Sequence, residues 1–185
     1  MHIQDTSVVD AKIIDLSPIA DARGFFAEGF RADEFARLGL SPTFVQISLS
    51  YNAKRGTLRG MHLQVPPFED AKLVRCVRGA IYDVALDLRL GSPTFKRWSG
   101  VELTADNRRA AYIPAGCAHG FLTLADDTEV SYLISQYYTP SHYRGVRWDD
   151  PAFGIDWPEA GPLIIHDRDR TYPDFDDSLV YGGRP

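Results

Sequence analysis

The chain has 185 residues, of which 44% are hydrophobic and 24% are charged, and its net charge is −5. This length and balance are typical of one globular domain with a sizeable core, and they argue against intrinsic disorder. The negative net charge disfavours non-specific binding to nucleic acid. The first residues lack an apolar signal segment, and no apolar run reaches membrane-spanning length, so we expect no membrane association. Cys76 and Cys117 form no CxxC pair, which favours a reducing, cytoplasmic location.

The first part of the chain predicts one strand and one short helix. Residues 8–15 read as a strand, and residues 33–38 as a helix that Asp33 can cap and Gly39 can end. Between them lies DARGFFAEGF, an aromatic pair flanked by charges. Such a pair usually belongs to a core. Alternatively, it can stack on a flat ligand while Arg23 contacts an anion.

From Thr43 onward, short strand patterns dominate. Gly, Pro, Asp and Asn residues separate seven such runs: FVQISLSY, LVRCV, AIYDVALDL, GVELTA, AAYIP, GFLTLA and TEVSYLISQYY. AIYDVALDL alternates with period two, and its junction with LVRCV at Arg78-Gly79 predicts a hairpin. Regular short strands with little helix predict an all-β sandwich or barrel. The tail after Pro140 is expected to form loops and a short helix packed over the sheet.

Three residues between Arg55 and Arg78 combine a proton-transfer group with positive charge. His62 can act as a general base, because an unperturbed imidazole has a pKa close to neutral. Arg59 and Lys72 supply the cations that chemistry beside a carbonyl of an anionic substrate requires, and Lys72 can hold the oxygen where negative charge develops. The competing interpretation is that all three are structural or surface residues.

Three further side chains can complete this group or serve the fold alone. Tyr132 lies among apolar neighbours, as a core tyrosine does, but its phenol can return a proton to the opposite face of a planar intermediate. Asp169 can hydrogen-bond the far nitrogen of His62 and fix its tautomer. His119, between two glycines in PAGCAHGF, can be a pocket residue or a structural one.

Other chemistries find less support in the sequence. There is no Gly-rich phosphate loop and no GxSxG nucleophile motif. Many β-sandwich enzymes hold a metal on clustered histidines, yet no two of the five histidines here are spaced HxH or HxxxH. A metal site would need His62 and His119 to converge with a carboxylate, so chemistry without a metal is favoured.

Several segments are distinctive: RGFFAE at 23–28, GTLRGMHLQ at 56–64, AKLVRCVRGAIYDVALDLR at 71–89, IPAGCAHGFLTL at 113–124 and RGVRWDDPAFGIDWP at 144–158. In these, and from about Ile13 to Tyr172, the chain resembles the dTDP-4-dehydrorhamnose 3,5-epimerase family of nucleotide-sugar enzymes. The resemblance implies a single cupin-type jelly-roll domain over residues 1–185, with a tail over about 140–185 packed on it. It also implies a homodimer, a 4-keto-6-deoxyhexose nucleotide as substrate, and no metal or other cofactor.

The resemblance further implies roles for residues at matching positions. The implied catalytic residues are His62 as base, Asp169 as its orienting partner, Tyr132 as acid and Lys72 as the group that stabilises the enolate. The implied substrate contacts are Arg23 and Arg59 at the diphosphate, Phe26 and Glu28 at the base across the dimer, and Gln46, His119 and Tyr138 in the pocket.

One departure from the family pattern lies beside Gln46. Typical members carry Asp-Asn at the next two positions, whereas this chain has Ile47 and Ser48. A polar contact near the nucleotide is therefore expected to differ, and the base of the nucleotide stays open. Also open are whether carbon 3, carbon 5 or both invert, and two alternatives: a metal-dependent cupin isomerase or dioxygenase, and a non-catalytic sugar-nucleotide binding module.

Overall fold

Two large sheets dominate the fold of residues 1–178, which the structure, a computed structural model, describes. Their strands, together with those of a small hairpin, are β1 (His2–Asp5), β2 (Lys12–Asp15), β3 (Ile19–Asp21), β4 (Gly24–Phe26), β5 (Gln46–Asn52), β6 (Thr57–Gln64), β7 (Lys72–Arg78), β8 (Ala80–Asp87), β9 (Trp98–Thr104), β10 (Ala110–Ile113), β11 (Cys117–Thr123), β12 (Thr128–Ile134), β13 (Tyr143–Gly145) and β14 (Ile164–Ile165). The helices are α1 (Ala32–Arg37), α2 (Asp167–Arg170) and a 3-10 helix at Pro140–His142.

The two sheets pack as a sandwich. The first has the order β1-β2-β10-β7-β12-β5, and the second has the order β13-β6-β11-β8-β9, with β14 pairing parallel to β6. Strands β3 and β4 form the separate hairpin. This arrangement confirms the expected all-β, cupin-type jelly roll with a few short helices.

Strand β8 shows why the sequence alternates with period two. Ile81 and Ala85 point between the sheets into a buried core that both sheets share. Val84 and Leu86 point to the other face, where residues of the tail cover them. Because side chains alternate along a strand, β8 is buried on both faces.

The tail lies over this second face. Val146 and Phe153 pack in the same apolar cluster as Val84 and Leu86. The buried carboxylate of Asp150 accepts the backbone N–H of Phe175 at 2.6 Å and that of Ala152 at 2.8 Å. Residues 179–185 of the expected tail lie outside the described residues. The tail also carries α2 back to β6.

The hairpin expected at Arg78-Gly79 is wrong. Strand β7 pairs with β10 and β12 in the first sheet, whereas β8 pairs with β9 and β11 in the second. Gly79 has a φ of 76°, and a Cβ at this position would collide with Thr128, so the turn requires glycine. The chain uses the turn to cross from one sheet to the other, which buries both strands in the shared core.

Two expectations near the N-terminus also change. The strand expected over residues 8–15 is shorter, because β2 starts at Lys12 and Val8 is buried in the preceding loop. Asp33 does not cap α1: the N-cap residue is Arg31, which makes no side-chain cap bond, and Asp33 lies in the first turn. Within residues 1–178, none of the helices is long and apolar enough to span a membrane.

Candidate active site

A cavity of about 680 Å³ opens between strands of both sheets. This volume lies within the range of small-molecule sites. Eight residues singled out in the sequence line it: Gln46, Arg59, His62, Lys72, His119, Tyr132, Tyr138 and Asp169. They come from β5, β6, β7, β11, β12, α2 and the segment after β12, so the fold assembles the site from distant parts of the chain.

Two glycines bring the strands with the two histidines into close contact. His62 on β6 and His119 on β11 are register partners. A Cβ on Gly120 would lie 2.5 Å from Met61 Sδ and 2.9 Å from the carbonyl oxygen of Arg59. A Cβ on Gly60 would likewise lie 2.8 Å from the carbonyl oxygen of His119. The glycines beside both histidines therefore permit this close packing.

The tail delivers a carboxylate to His62. Nε2 of His62 lies 2.8 Å from Asp169 Oδ1, and the backbone N–H of Gly60 donates to Asp169 Oδ2 at 3.2 Å. The ring of His166 caps α2 by accepting the N–H of Arg168 at 3.1 Å. Because an ionised carboxylate can only accept, the proton of neutral His62 belongs on Nε2, and its lone pair on Nδ1.

Burial and charge together set the ionisation of this pair. Burial is the largest influence on the pKa of His62 and lowers it; the hydrogen bond and charge of Asp169 oppose this, the charges of Arg168 and Lys72 add to it, and the pKa lies below its ordinary value. Burial alone would raise the pKa of Asp169, but the hydrogen bonds from His62, Gly60 and Arg168 bring that pKa below its ordinary value. At neutral pH the pair is therefore a neutral imidazole beside an ionised carboxylate, the state that a general base requires.

Besides Arg168, the cations Arg59 and Lys72 line the cavity. The ammonium of Lys72 lies 2.8 Å from Asp70 Oδ2, and both side chains are largely buried. The guanidinium of Arg59 donates from Nε to Asn52 Oδ1 at 2.8 Å. Fixed positive charges in a partly enclosed cavity are suited to an anionic ligand or to an oxygen that gains negative charge.

Tyr132 points into the cavity, as the alternation of β12 predicts. Its ring packs edge-on against His119, with 6.0 Å between ring centroids. Burial raises the pKa of Tyr132, so its phenol stays protonated at neutral pH and can donate a proton. His119 is itself held by the buried carboxylate of Asp83, with 2.7 Å between Nε2 and Oδ2.

Strand β5 forms one wall of the cavity with alternate residues. Gln46, Ser48 and Ser50 line the cavity, and Gln46 Nε2 donates to Ser48 Oγ at 2.7 Å. Ile47 points away from the cavity and is 71% exposed. Of the two residues that follow Gln46, only Ser48 therefore forms part of the cavity wall.

The sequence reasoning missed several residues of the site. Tyr143 lies with its ring centroid 5.3 Å from that of His62 and 5.4 Å from that of Tyr138. The guanidinium of Arg168 stacks 5.2 Å from the Tyr143 ring. Asp70, which also lines the cavity, is the third missed residue. Its position two residues before Lys72 is a sequence signal that could have identified it as a partner of the lysine. The positions of Tyr143 and Arg168 depend on tertiary packing.

Three expected substrate contacts do not line this cavity in the same chain. Arg23, Phe26 and Glu28 lie in or just after the β3–β4 hairpin, and all three are exposed. Arg23 is paired with Asp21 through Nη2 and Oδ2 at 2.5 Å. The structure of one chain therefore does not bring these residues to His62.

The two histidines converge, but each bonds a different carboxylate. His62 contacts Asp169 and His119 contacts Asp83. Among residues 1–178, no group of three His, Cys, Asp or Glu side chains could hold a metal ion. His62 and His119 thus converge, as a metal site would require, but no set of three ligands surrounds them in the described part of the chain.

The ionisation of His62 can be measured directly. We expect its ring to titrate below the unperturbed value of about 6.5 in NMR spectra recorded against pH. Asp169→Asn should lower this pKa further, because it removes the negative charge that favours imidazolium. The resonance is assigned by its loss in His62→Ala. A His62 pKa above 6.5, or one that rises in Asp169→Asn, would contradict the arrangement described above.

Comparison with known proteins places this site in a family. Residues 5–177 match the family model described as dTDP-4-dehydrorhamnose 3,5-epimerase. The dTDP-4-dehydrorhamnose 3,5-epimerase of Sinorhizobium fredii is 43% identical over 173 residues, covering 94% of this chain and 89% of the relative.

Solved structures agree with that match. The crystal structure of dTDP-4-dehydrorhamnose 3,5-epimerase from Elizabethkingia anophelis superposes with a TM-score of 0.92 at 37% identity, covering 97% of this chain and 98% of the other. An epimerase from Legionella pneumophila, solved in complex with dTDP-4-keto-L-rhamnose, gives a TM-score of 0.84 at 38% identity, with coverages of 91% and 89%. On the match along nearly its whole length, the chain belongs to the dTDP-4-dehydrorhamnose 3,5-epimerase family.

Proposed function

We propose that this protein is an isomerase that inverts carbon 3, carbon 5 or both in a nucleotide-linked 4-keto-6-deoxyhexose, within deoxysugar (rhamnose-like) biosynthesis. The observation that carries the proposal is one cavity holding a neutral imidazole, a buried ammonium and a protonated phenol, on His62, Lys72 and Tyr132. Family membership and the ligand of the Legionella relative support this substrate class.

The reaction begins at the carbon beside the ketone. Nδ1 of His62 takes the proton, and the electrons of the broken C–H bond move to the ketone oxygen to form an enolate. Lys72 supplies positive charge at that oxygen, which lowers the cost of the intermediate. Asp169 holds the other ring nitrogen and stabilises the imidazolium while it carries the proton.

Inversion requires a second proton donor on the other face. The enolate carbon is planar, so a proton delivered opposite His62 yields the inverted centre. Tyr132 gives its phenolic proton to that carbon as the ketone reforms, and both groups then return to their starting states by exchange with solvent. If both carbons invert, the same pair of residues acts twice.

The rest of the cavity is suited to the nucleotide. Arg59 can contact the diphosphate, because a guanidinium pairs well with phosphate oxygens. Gln46, His119 and Tyr138 are the other proposed substrate contacts in the same chain. Tyr138 is 59% exposed at the cavity and offers an aromatic face. The identity of the nucleobase depends on the wall that Ser48 modifies.

We also propose a homodimer formed through the outer face of β5. Ile47, Leu49 and Tyr51 point away from the cavity and are 71%, 66% and 54% exposed. A row of exposed apolar residues on an edge strand is typical of an interface. On the same sheet face, Arg75 has a buried Nε with no hydrogen-bond partner among residues 1–178. A partner subunit would cover the apolar row and can supply that acceptor.

The β3–β4 hairpin is proposed to complete the partner's site. Arg23, Phe26 and Glu28 do not line the cavity of their own chain. Phe26 is 69% exposed although it is aromatic, which is unfavourable unless a partner or ligand covers it. Across the dimer it would stack on the nucleobase beside Glu28, with Arg23 near the diphosphate.

Further proposals concern the chain as a whole. We treat it as one domain, because tail and sheet share a continuous apolar cluster. Both cysteines are free and buried, which fits a cytoplasmic location. A metal-dependent cupin and a non-catalytic binding module remain the alternatives, and the assay below separates them.

The decisive experiment uses deuterated water. Incubating the protein with dTDP-4-keto-6-deoxyglucose and locating deuterium by NMR shows which carbons exchange and invert. His62→Ala should lose about a hundred-fold or more in turnover, the usual scale for a general base, while still folding normally. His2→Ala, at an exposed strand residue, is the matched control.

Turnover should survive exhaustive chelation. Loss of turnover on chelation, with recovery on adding a divalent ion, would favour the metal-dependent cupin. Binding without exchange would favour the binding module.

Tyr132→Phe separates the acid from the base. It removes one hydroxyl and keeps the ring packed against His119. Proton removal by His62 can continue, with return of a proton to the same face. The variant should therefore incorporate deuterium but form little inverted product, when label and stereochemistry are measured on one sample. Inversion at the wild-type rate would mean that another group supplies the proton.

The dimer is tested at Leu49. Leu49→Glu places a charge in the apolar row, and sedimentation should show a shift from dimer to monomer. Activity should fall with it, because the partner's hairpin is lost from the cavity. Val9→Glu, the same kind of change on a loop far along the chain, should stay dimeric. A monomeric wild type, or a Leu49→Glu variant that stays dimeric, would contradict the proposed interface.

A further inference from the structure

The fold places the ammonium of Lys72 in a largely buried position. Its side chain is only 12% exposed, and a buried charge is costly unless it is paired. Asp70, whose side chain is 7% exposed, provides the pairing through Oδ2 at 2.8 Å. Both residues line the cavity. The two charges are thus each other's partners within its wall.

The second oxygen of Asp70 has a different partner. Oδ1 accepts the backbone N–H of Gln64 at 3.2 Å. Gln64 lies two residues after His62 on β6, in the second sheet, whereas Lys72 begins β7 in the first. One carboxylate therefore ties the ammonium to the strand that carries the imidazole, across the gap between the sheets.

The backbone around Asp70 is itself held in place. The N–H of Ala71 donates to Ser135 Oγ at 2.8 Å, and the N–H of Ser135 donates to the carbonyl of Ala71 at 3.0 Å. The side chain of Gln64 donates to the carbonyl oxygen of Phe68 at 2.9 Å. The backbone on both sides of Asp70 is therefore held by hydrogen bonds, and its carboxylate is anchored by the Gln64 N–H.

We propose that Asp70 is the positioning residue for Lys72, holding the ammonium where the enolate oxygen forms and in fixed relation to His62; this rests on the proposed function. A lysine side chain has four rotatable carbons and presents a point charge, so it needs an external anchor. Stabilising a developing charge depends on having the cation in place beforehand, and displacement by about 1 Å can cost about a hundred-fold in rate. Asp70 supplies that placement without contacting the substrate.

The test is a double-mutant cycle in the deuterium assay. Asp70→Asn keeps the size and an acceptor for the Gln64 N–H but removes the charge that orients Lys72. It should lower kcat by about 10- to 100-fold, with KM changed less than about threefold, and deuterium exchange should fall in parallel. In a Lys72→Met background, the same substitution should cost less than about twofold, because the group it positions is gone.

Two further variants sharpen the result. Asp70→Glu keeps the charge and should recover part of the lost kcat, while Glu69→Gln removes a neighbouring exposed charge and should match wild type. If Asp70→Asn fails to fold, Asp70→Ser replaces it in the cycle. Equal losses in the wild-type and Lys72→Met backgrounds would overturn the positioning role while leaving the function intact. A wild type that neither exchanges nor inverts would instead overturn the proposed function, and this inference with it.

Discussion

The hydrogen bond between Asp169 and His62 is the contact on which the site depends. It joins residues 107 positions apart, and it forms only because the tail crosses the second sheet and returns to β6 at α2. The same carboxylate accepts the Gly60 N–H beside the close contact of β6 and β11. Packing of the tail, the glycine-lined strand contact and the tautomer of the imidazole are thus parts of one arrangement. The apolar cluster under the tail supplies the stability that keeps a buried carboxylate beside a buried ring.

The charges in the cavity are balanced in a way that suits an anionic substrate. Lys72 is paired with Asp70, and Asp169 is paired with its hydrogen-bond donors, so neither buried charge is left without a partner. Arg59 and Arg168 remain to attract negative charge, although each is anchored by a neighbouring acceptor. Burial lowers the pKa of the His62 imidazole and raises the pKa of the Tyr132 phenol, because it disfavours the charged form of each group. One buried environment therefore yields both a free base and a protonated acid at the same pH.

Strand β5 combines two functions in seven residues. Its cavity face carries Gln46, Ser48 and Ser50, and its outer face carries the exposed apolar row that begins at Ile47. Ile47 and Ser48 therefore lie on different faces of the strand. Ser48 belongs to the wall around the proposed nucleotide, whereas Ile47 belongs to the proposed subunit interface. Two residues that are adjacent in sequence thus contribute to two separate surfaces of the fold.

The sequence by itself determined the all-β class and which residues share a strand face. The period-two alternation of β8 and β12 is local, because successive side chains must point to opposite sides. Tyr132 was placed toward the interior on that basis, and His62, Lys72 and His119 were recognisable from the segments around them.

Tertiary structure decided which strands pair and which distant groups meet. The turn at Gly79 looks like a hairpin because the two strands flanking it are adjacent in sequence. Each strand instead pairs in a different sheet, since this buries apolar residues of both in the shared core. The carboxylates of Asp70 and Asp83 find their partners only in the folded chain, where Lys72 lies beside Asp70 and His119 lies beside Asp83. Such contacts depend on the packing of the whole chain, which no local pattern encodes.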